Sequence, residues 1–138
     1  MRTKAVSKQK AAVYLKRHEA CYESMKFLAG DLDSFADAVA LLAVHSAISL
    51  GDAVLVACKG LRSISEDHHD SCTLLRQLCR ERKVPEAGLT HYSRLLARKT
   101  DISYGEKRWN AESDVKWAQD HAERFTVWAL SSFREVQQ

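Results

Sequence analysis

The sequence predicts an all-α fold: an antiparallel up-and-down bundle of four helices with one extra shorter helix, forming a single domain over residues 1–138. Three observations predict it. One proline and five glycines in 138 residues favour long helices over many short strands and turns. Apolar residues recur at helical spacing in successive segments, and no segment shows the alternation of a strand. The run from Ala36 to Lys59 is apolar on nearly every side, which is typical of a helix at the centre of a bundle.

The Ala36–Lys59 run is the helix against which the others are expected to pack. Ala43, Ala47 and Gly51 fall four residues apart, so one side of this helix is small and lets a neighbour approach closely. Acidic residues inside the run argue against a membrane-spanning segment. Another side carries a polar line, which is either a hydrogen-bond network between helices or the lining of a site. Its members are His45, Ser49, Asp52 and Lys59.

Caps and breakers set the remaining boundaries. Asp31, Asp33 or Ser34 can cap the central helix, and Gly60 is placed to end it. Pro85 breaks one helix and restarts another, since proline is tolerated in a first turn. The other helices are expected at 7–29, 67–83, 85–99 and 110–136, the last capped by Asn110, with loops at 61–67 and 100–109.

Charge is unevenly distributed although the net charge is only +3. Residues 1–26 carry +5, residues 27–74 carry −5, residues 75–108 carry +5 and residues 109–138 carry −2. If the first and third blocks meet in space, they offer a basic face to a polyanion. The alternative is that these charges are solvated helix faces.

The cysteines and the N-terminal segment indicate a cytoplasmic protein. The four cysteines show no CxxC spacing and sit within helical patterns, as buried reduced thiols do. The first 20 residues are charged throughout and lack the apolar core of a secretion signal.

Motifs of the common enzyme classes are absent: there is no Walker-type loop, GxGxxG, HExxH or GxSxG. His68, His69 and Asp70 are adjacent on a helix, where neighbours point about 100° apart and cannot chelate one metal ion together. No metal or cofactor is therefore predicted. His18 lies in the apolar stripe of the first helix and is expected to be a core histidine with satisfied ring nitrogens.

Three polar places remain as candidate sites. The first is the polar line of the central helix. The second is the segment 62–69, in which Arg62 supplies a fixed charge for phosphate and His68 titrates near neutrality; the alternative is a solvated capping loop. The third is the segment 98–105, in which Arg98, Lys99 and Tyr104 can hold a phosphate or ribose, unless the two cations only favour the C-terminal end of their own helix.

Three runs resemble a known family: AVALLAVHSAISLGDAVLVACKG, RSISEDHHDSCTLL and LLARKTDISYG. With the order of the helices from about residue 10 to residue 133, they resemble the HEPN superfamily of all-α, nucleotide-associated domains. The resemblance implies a four-helix bundle with a shorter extra helix, often homodimeric, and a nucleotide or RNA as ligand. It also implies a setting in toxin–antitoxin or defence systems, in which some such domains partner a nucleotidyltransferase.

Active members of that family use an Arg, four to six intervening residues and a His near the start of the last long helix. Arg98 stands at the place of this Arg, but Ser103, Tyr104 and Gly105 occupy the positions that would offer the His. The resemblance thus carries over Arg98, with Tyr104 as a substitute hydroxyl. Arg62 and His68 have the right spacing but lie between the second and third helices, and Asp52 matches the polar residue that many such domains carry on the inner helix.

The favoured hypothesis is a HEPN-like module that binds a nucleotide or RNA without cutting it. Its binding residues would be Asp52, Arg62, His68, Arg98, Lys99 and Tyr104. One alternative is a metal-independent ribonuclease with a relocated active site, for which His68 and Tyr104 are the catalytic candidates. Another is a helical protein–protein interaction module that uses Trp117, His121, Arg124 and Trp128 on the last helix; extra core width explains that row equally well.

Overall fold

The computed structural model describes residues 2–105 and 113–138; within α5 the side chains of Asp101, Ser103 and Tyr104 are not described. The described chain is mostly helical and includes a small two-stranded sheet. The helices are α1 (Ala11–Leu28), α2 (Leu32–Lys59), α3 (His69–Arg82), α4 (Leu89–Ala97), α5 (Lys99–Tyr104) and α6 (Asp114–Ser132). The strands are β1 (Thr3–Ala5) and β2 (Leu61–Ser63), and 3-10 turns occupy Lys8–Lys10, Ala29–Asp31 and Arg134–Gln137.

The long apolar helix α2 lies at the centre, as the sequence predicts, with α1 and α6 packed against it. Its ends are also as predicted. The Asp31 carboxylate accepts a hydrogen bond from the backbone N–H of Ser34 at 3.3 Å, which caps the N-terminus. Gly60 ends the helix in the left-handed conformation (φ 66°), and its N–H donates to the carbonyl of Val56 at 3.0 Å. Helical geometry is interrupted only near this start, at Phe35 (φ −125°, ψ 18°).

The small side of α2 receives a large neighbour, as predicted. A Cβ atom built on Gly51 would lie 3.0 Å from the hydroxyl oxygen of Tyr92 on α4, so the glycine lets this fully buried ring approach the backbone. The Tyr92 hydroxyl donates to the hydroxyl of Ser71 on α3 at 3.0 Å. One close approach therefore ties α2, α3 and α4 together in the core.

Helix α2 is apolar and long enough to cross a membrane by length and composition, since its best window has a mean hydropathy of 1.9. In the fold, 72% of that window is buried against the rest of the chain. Burial of this extent is typical of the core helix of a soluble protein, and the apolar run is weak support for a membrane span.

The prediction that the chain has no strand is wrong. β1 and β2 form an antiparallel ribbon in which Lys4 pairs with Arg62. Hydrogen bonds extend it at both ends, from the Val6 N–H to the Gly60 carbonyl at 2.9 Å and from the Ile64 N–H to the Arg2 carbonyl at 3.1 Å. Strands of three residues are too short for an alternating pattern, and their pairing depends on a contact between distant parts of the chain.

Several predicted boundaries are also corrected. The first helix begins at Ala11 after a 3-10 turn, and the last ends at Ser132, where Phe133 (φ −128°, ψ 72°) leaves helical geometry. Lys83 takes a left-handed conformation (φ 56°) that turns the chain, and the next helix starts only at Leu89. The predicted loop at 100–109 begins with α5, while the predicted Asn110 cap lies outside the described residues.

Candidate functional site

An ion pair between the buried Asp52 and the half-buried Arg62 joins α2 to β2. Asp52 projects from α2 and is 8% exposed. Arg62 lies on β2, with its Nε atom 3.9 Å from an oxygen of the Asp52 carboxylate. Its Nη1 atom donates to the hydroxyl of Tyr14 on α1 at 3.4 Å, and its guanidinium carbon lies 5.4 Å from the centre of the Tyr14 ring. Elements from three parts of the chain thus hold one guanidinium.

The strand β2 explains how Arg62 is held. Its backbone is paired with Lys4 of β1, so the position of the Arg62 Cα atom is set by the ribbon. Side chains of residues directly paired in an antiparallel ribbon project to the same face, which places Lys4, an exposed residue, on the face of Arg62. The N-terminal segment therefore supports this side of the site.

Burial raises the pKa of Asp52 to about 6, although the positive charges of Arg62 and Arg17 act in the opposite direction. Desolvation thus outweighs the attraction of two guanidinium groups. A carboxyl group with this pKa changes its protonation state just below neutrality, so it can alter the charge around Arg62 within a physiological pH range.

The Nε atom of Arg62 is shielded from solvent and has no hydrogen-bond acceptor among the described residues. The Asp52 carboxylate, 3.9 Å away, attracts its charge but lies beyond hydrogen-bond distance. Buried polar groups are usually paired, and unpaired ones are found disproportionately where a protein binds or reacts. This guanidinium is therefore less completely satisfied by the fold than a purely structural arginine.

Two histidines and a lysine interact electrostatically on this side of the chain; His45 is exposed and His68 is half-buried. His45 projects from α2, His68 immediately precedes α3, and Lys99 begins α5. Desolvation, followed by the positive charge of Lys99, lowers the pKa of both His45 and His68. The charges of His45 and Arg62 lower the pKa of His68 further. Lys99 thus acts on both histidines, and Arg62 acts on His68 as well as on Asp52. We call His45, Asp52, Arg62, His68 and Lys99 the candidate site.

The local sequence places His68 at the entrance to α3. The Asp67 carboxylate accepts a hydrogen bond from the backbone N–H of His69 at 2.9 Å, and the Ser71 N–H donates to the His68 carbonyl at 3.1 Å. An Asp of this kind closes the first turn of a helix and fixes the residue between. His68 is therefore held by backbone geometry, whereas its neighbour His69 is exposed.

Of the six residues predicted to bind a ligand, Asp52 and Arg62 form an ion pair, and Arg62 and Lys99 both lower the pKa of His68. The guanidinium carbon of Arg98 lies 4.8 Å from the centre of the Trp117 ring, so Arg98 packs against α6. Tyr104 belongs to α5, but its side chain lies outside the described part of the structure.

Residues outside the predicted set also contribute. Tyr14 supports Arg62, and Arg17, whose guanidinium carbon lies 5.6 Å from the centre of the Tyr14 ring, adds positive charge near Asp52. Their spacing of three on α1 is a signal for a shared helix face, but it does not reveal which helix they meet. Of the polar line on α2, His45 and Asp52 reach the site, whereas Lys59 pairs with Glu81 at 2.9 Å.

The structure also bears on the predictions for His18, the cysteines and a metal site. The Nδ1–H of His18 donates to the Ser46 carbonyl at 2.9 Å within the core, which confirms that His18 is a satisfied core residue. All four cysteines are unpaired, and three of them are buried. Among the described residues there is no group of three His, Cys, Asp or Glu side chains suited to a metal ion.

The chemistry available to this arrangement is that of an anion site with adjustable protonation. Arg62 and Lys99 carry fixed positive charges, and arginine in particular matches the oxygens of a phosphate. His45 and His68, with lowered pKa values, are neutral at pH 7 and can each accept or donate one proton. Both basic blocks contribute charge to this region: Arg17 of the first block acts on Asp52, and Lys99 of the third acts on His45 and His68.

The chain was compared with known proteins. A scan against protein-family models finds no match, and a search of curated proteins finds none either. The functional argument therefore depends on the residues of the candidate site and on their geometry.

Proposed function

We propose that this chain binds the phosphate groups of a nucleotide or RNA at the candidate site, as a HEPN-like helical module that does not cut its ligand. The observation that carries the proposal is that Arg62, which is paired with the buried Asp52, and Lys99 both act on His68, while Lys99 also acts on His45. A phosphate would be attracted by both cations, and the neutral imidazoles can donate hydrogen bonds to its oxygens.

The finer architecture is part of the same proposal. Four helical segments would form the up-and-down bundle: α1, α2, α6, and α3 together with α4 as one segment. Helix α5 would be the short extra helix. The mutual packing of α1 with α2, α2 with α6 and α4 with α6 supports this arrangement. A homodimer, a nucleotidyltransferase partner and a toxin–antitoxin setting are the further expectations of a HEPN-like module.

Binding is tested with a labelled single-stranded RNA and a labelled nucleoside triphosphate, with EDTA present, by fluorescence anisotropy. Lys99→Ala and Arg62→Ala are expected to weaken binding at least tenfold each. Lys26→Ala is the matched control, because Lys26 is an exposed lysine whose charge pairs with Glu23 at 3.2 Å on α1. Unchanged binding by Lys99→Ala, or an equal loss for Lys26→Ala, would show that the candidate site is not where the ligand binds.

A second candidate, metal-independent RNA cleavage, is favoured by the two neutral imidazoles. One would take the proton of the 2′-hydroxyl as its oxygen forms a bond to phosphorus. The other, once protonated, would give a proton to the departing 5′-oxygen as its bond to phosphorus breaks, leaving a 2′,3′-cyclic phosphate. Arg62 and Lys99 would stabilise the added negative charge. Tyr104, the other catalytic candidate, keeps its role as a prediction.

Cleavage is distinguished from binding by following the length of the same RNA on a denaturing gel. If the chain is a ribonuclease, product forms in EDTA and is lost in His68→Ala. His69→Ala is the control, since it removes the exposed neighbouring imidazole. RNA that stays intact while it binds supports the non-cutting module.

The alternative of a protein–protein interaction surface on α6 receives less support. His121 is 7% exposed, and Trp117 and Trp128 both pack against the core. The Trp128 indole N–H donates to the Pro85 carbonyl at 3.1 Å. Three of the four residues in that row thus contribute core width.

A further inference from the structure

Two histidines outside the candidate site make a direct contact between α4 and α6. The Nδ1 atoms of His91 and His121 are 2.8 Å apart, and His121 is 7% exposed. At this distance one nitrogen must donate and the other must accept, so at least one imidazole has to be unprotonated at Nδ1. When both rings carry two protons, two N–H groups and two positive charges face each other instead.

The surroundings of the two rings disfavour the state in which both His91 and His121 are protonated. Burial, followed by neighbouring charge, lowers the pKa of both rings. Arg94 on α4 and Arg124 on α6 lower these pKa values, whereas Asp120 on α6 raises them. Asp120 is itself paired with Arg124 at 3.2 Å, which reduces its effect on the imidazoles.

Solvent reaches the pair through an open groove of about 350 Å³ between α4 and α6. The groove is lined by His91, Asp120, Glu123, Arg124, Val127 and Trp128. Glu123 is the remaining charged side chain that faces this groove. Protons can therefore exchange with His91 without the helices first separating.

The pair is connected to the candidate site by a series of ring contacts. The His121 ring meets the Trp117 ring edge-on, with centroids 4.6 Å apart. The guanidinium carbon of Arg98 lies 4.8 Å from the centre of Trp117. The next residue is Lys99, whose charge acts on His45 and His68. Movement of α4 relative to α6 would thus displace the segment in which Arg98 and Lys99 join α4 to α5.

We propose that His91 and His121 form a proton-sensitive clasp that holds α4 on α6 at neutral pH, releases it in acid, and so shifts Lys99 within the candidate site. The effect on ligand binding rests on the proposed function. The clasp itself does not, because it is defined by the contact of the two helices. In acid, protonation of both rings replaces one hydrogen bond with repulsion between two cations in a partly desolvated place.

The clasp is tested by hydrogen exchange of the α4 amides (residues 89–97) at pH 7.5 and pH 5.0, in EDTA and without ligand, after correction for the intrinsic rate. We expect protection of α4 to fall at least tenfold more than that of α2 in the parent chain. His91→Gln should abolish this selective pH effect, because glutamine does not titrate. His69→Gln, which changes an exposed histidine, should retain it.

Equal protection of α4 at the two pH values, or an unchanged pH effect in His91→Gln, would overturn the clasp. His91 is only partly buried, so this variant is expected to fold, and its near-ultraviolet circular dichroism at pH 7.5 checks this. If α4 loosens as described but no RNA or nucleotide binds at either pH, the clasp stands and the proposed function fails.

Discussion

At the scale of single residues, Asp52 shows how burial and charge compete. Its carboxyl group is almost completely excluded from solvent. Its charge is only partly compensated, because Arg62 lies 3.9 Å away, beyond hydrogen-bond distance. The folded chain therefore prefers the protonated acid up to a pKa of about 6, above the usual 3.8 of an aspartate. An acid whose pKa is raised by folding loses its contribution to stability as the pH rises between the two values.

We therefore expect Asp52→Asn to stabilise the chain at pH 7.5, where the parent carboxylate is ionised. A rise in pKa of about two units corresponds to about 3 kcal/mol, which is the upper bound for the gain. Near pH 4 the parent is protonated in the fold, and the variant should be close to it in stability. The measurement is the free energy of unfolding in urea at both pH values. A gain of the same size at both would mean that titration of Asp52 is not its cause.

A second residue-scale prediction concerns Gly88. A Cβ atom at this position would lie 2.1 Å from atoms of the Trp128 ring, so Gly88→Ala forces the indole off its contact with Pro85. Overpacking of a formed interior typically costs about 1–3 kcal/mol, and we expect a fall of that size in the free energy of unfolding. Gly30→Ala is the control, because nothing lies within 4 Å of its Cβ position. A loss as large in Gly30→Ala would show that the clash with Trp128 is not the cause, because the change in chain entropy alone favours alanine over glycine.

At the scale of elements, helices follow from the sequence and the ribbon does not. The N-cap at Asp31, the left-handed Gly60 and the buried face of α2 are all local signals, and the structure confirms them. The β1–β2 pair requires contact between Thr3–Ala5 and Leu61–Ser63, and the sequence of neither segment predicts this pairing. The same limit applies to the site: Arg62 and His68 stand out in the sequence, but the support from Tyr14 requires knowledge of how α1 packs.

One substitution should disrupt the β1–β2 ribbon while leaving the helical core intact. Val6→Pro removes the N–H that donates to the Gly60 carbonyl at 2.9 Å, and we expect it to lower the free energy of unfolding by about 1 kcal/mol. It should also weaken RNA binding several-fold, since Arg62 loses the strand that holds it. Ser7→Pro is the control, because Ser7 already has φ −55°, which proline adopts. Equal RNA binding by the two variants would show that the ribbon is not needed to position Arg62.

At the scale of the whole molecule, charge is balanced overall and concentrated locally. The net charge of +3 gives little general attraction for nucleic acid, so binding would depend on the few cations that surround the candidate site. The sequence reveals the two basic blocks but leaves open whether they meet. The positions of Arg17 near Asp52 and of Lys99 near His68 depend on the packing of α1 and α5 against α2, which the chain order alone does not fix.

Salt dependence provides the test at this scale. If about three phosphates are contacted, raising the salt from 50 to 200 mM should lower the affinity for single-stranded RNA about twentyfold, through counterion release. Lys99→Ala should reduce the slope of log affinity against log salt by about one contact. Fluorescence anisotropy in a salt series measures both. An affinity that does not change with salt would contradict phosphate recognition.

The β1–β2 ribbon also has a consequence for the order in which the molecule is built. Tyr14, Asp52, Arg62 and the strand that holds Arg62 all belong to the first 63 residues, which close on themselves when β1 meets β2. During synthesis this segment emerges from the ribosome before Lys99 and α6 do, and closure of so long a loop is slow compared with the formation of its helices. The guanidinium half of the site can thus be in place early. Lys99 follows later, on α5, which packs against α2 and α4.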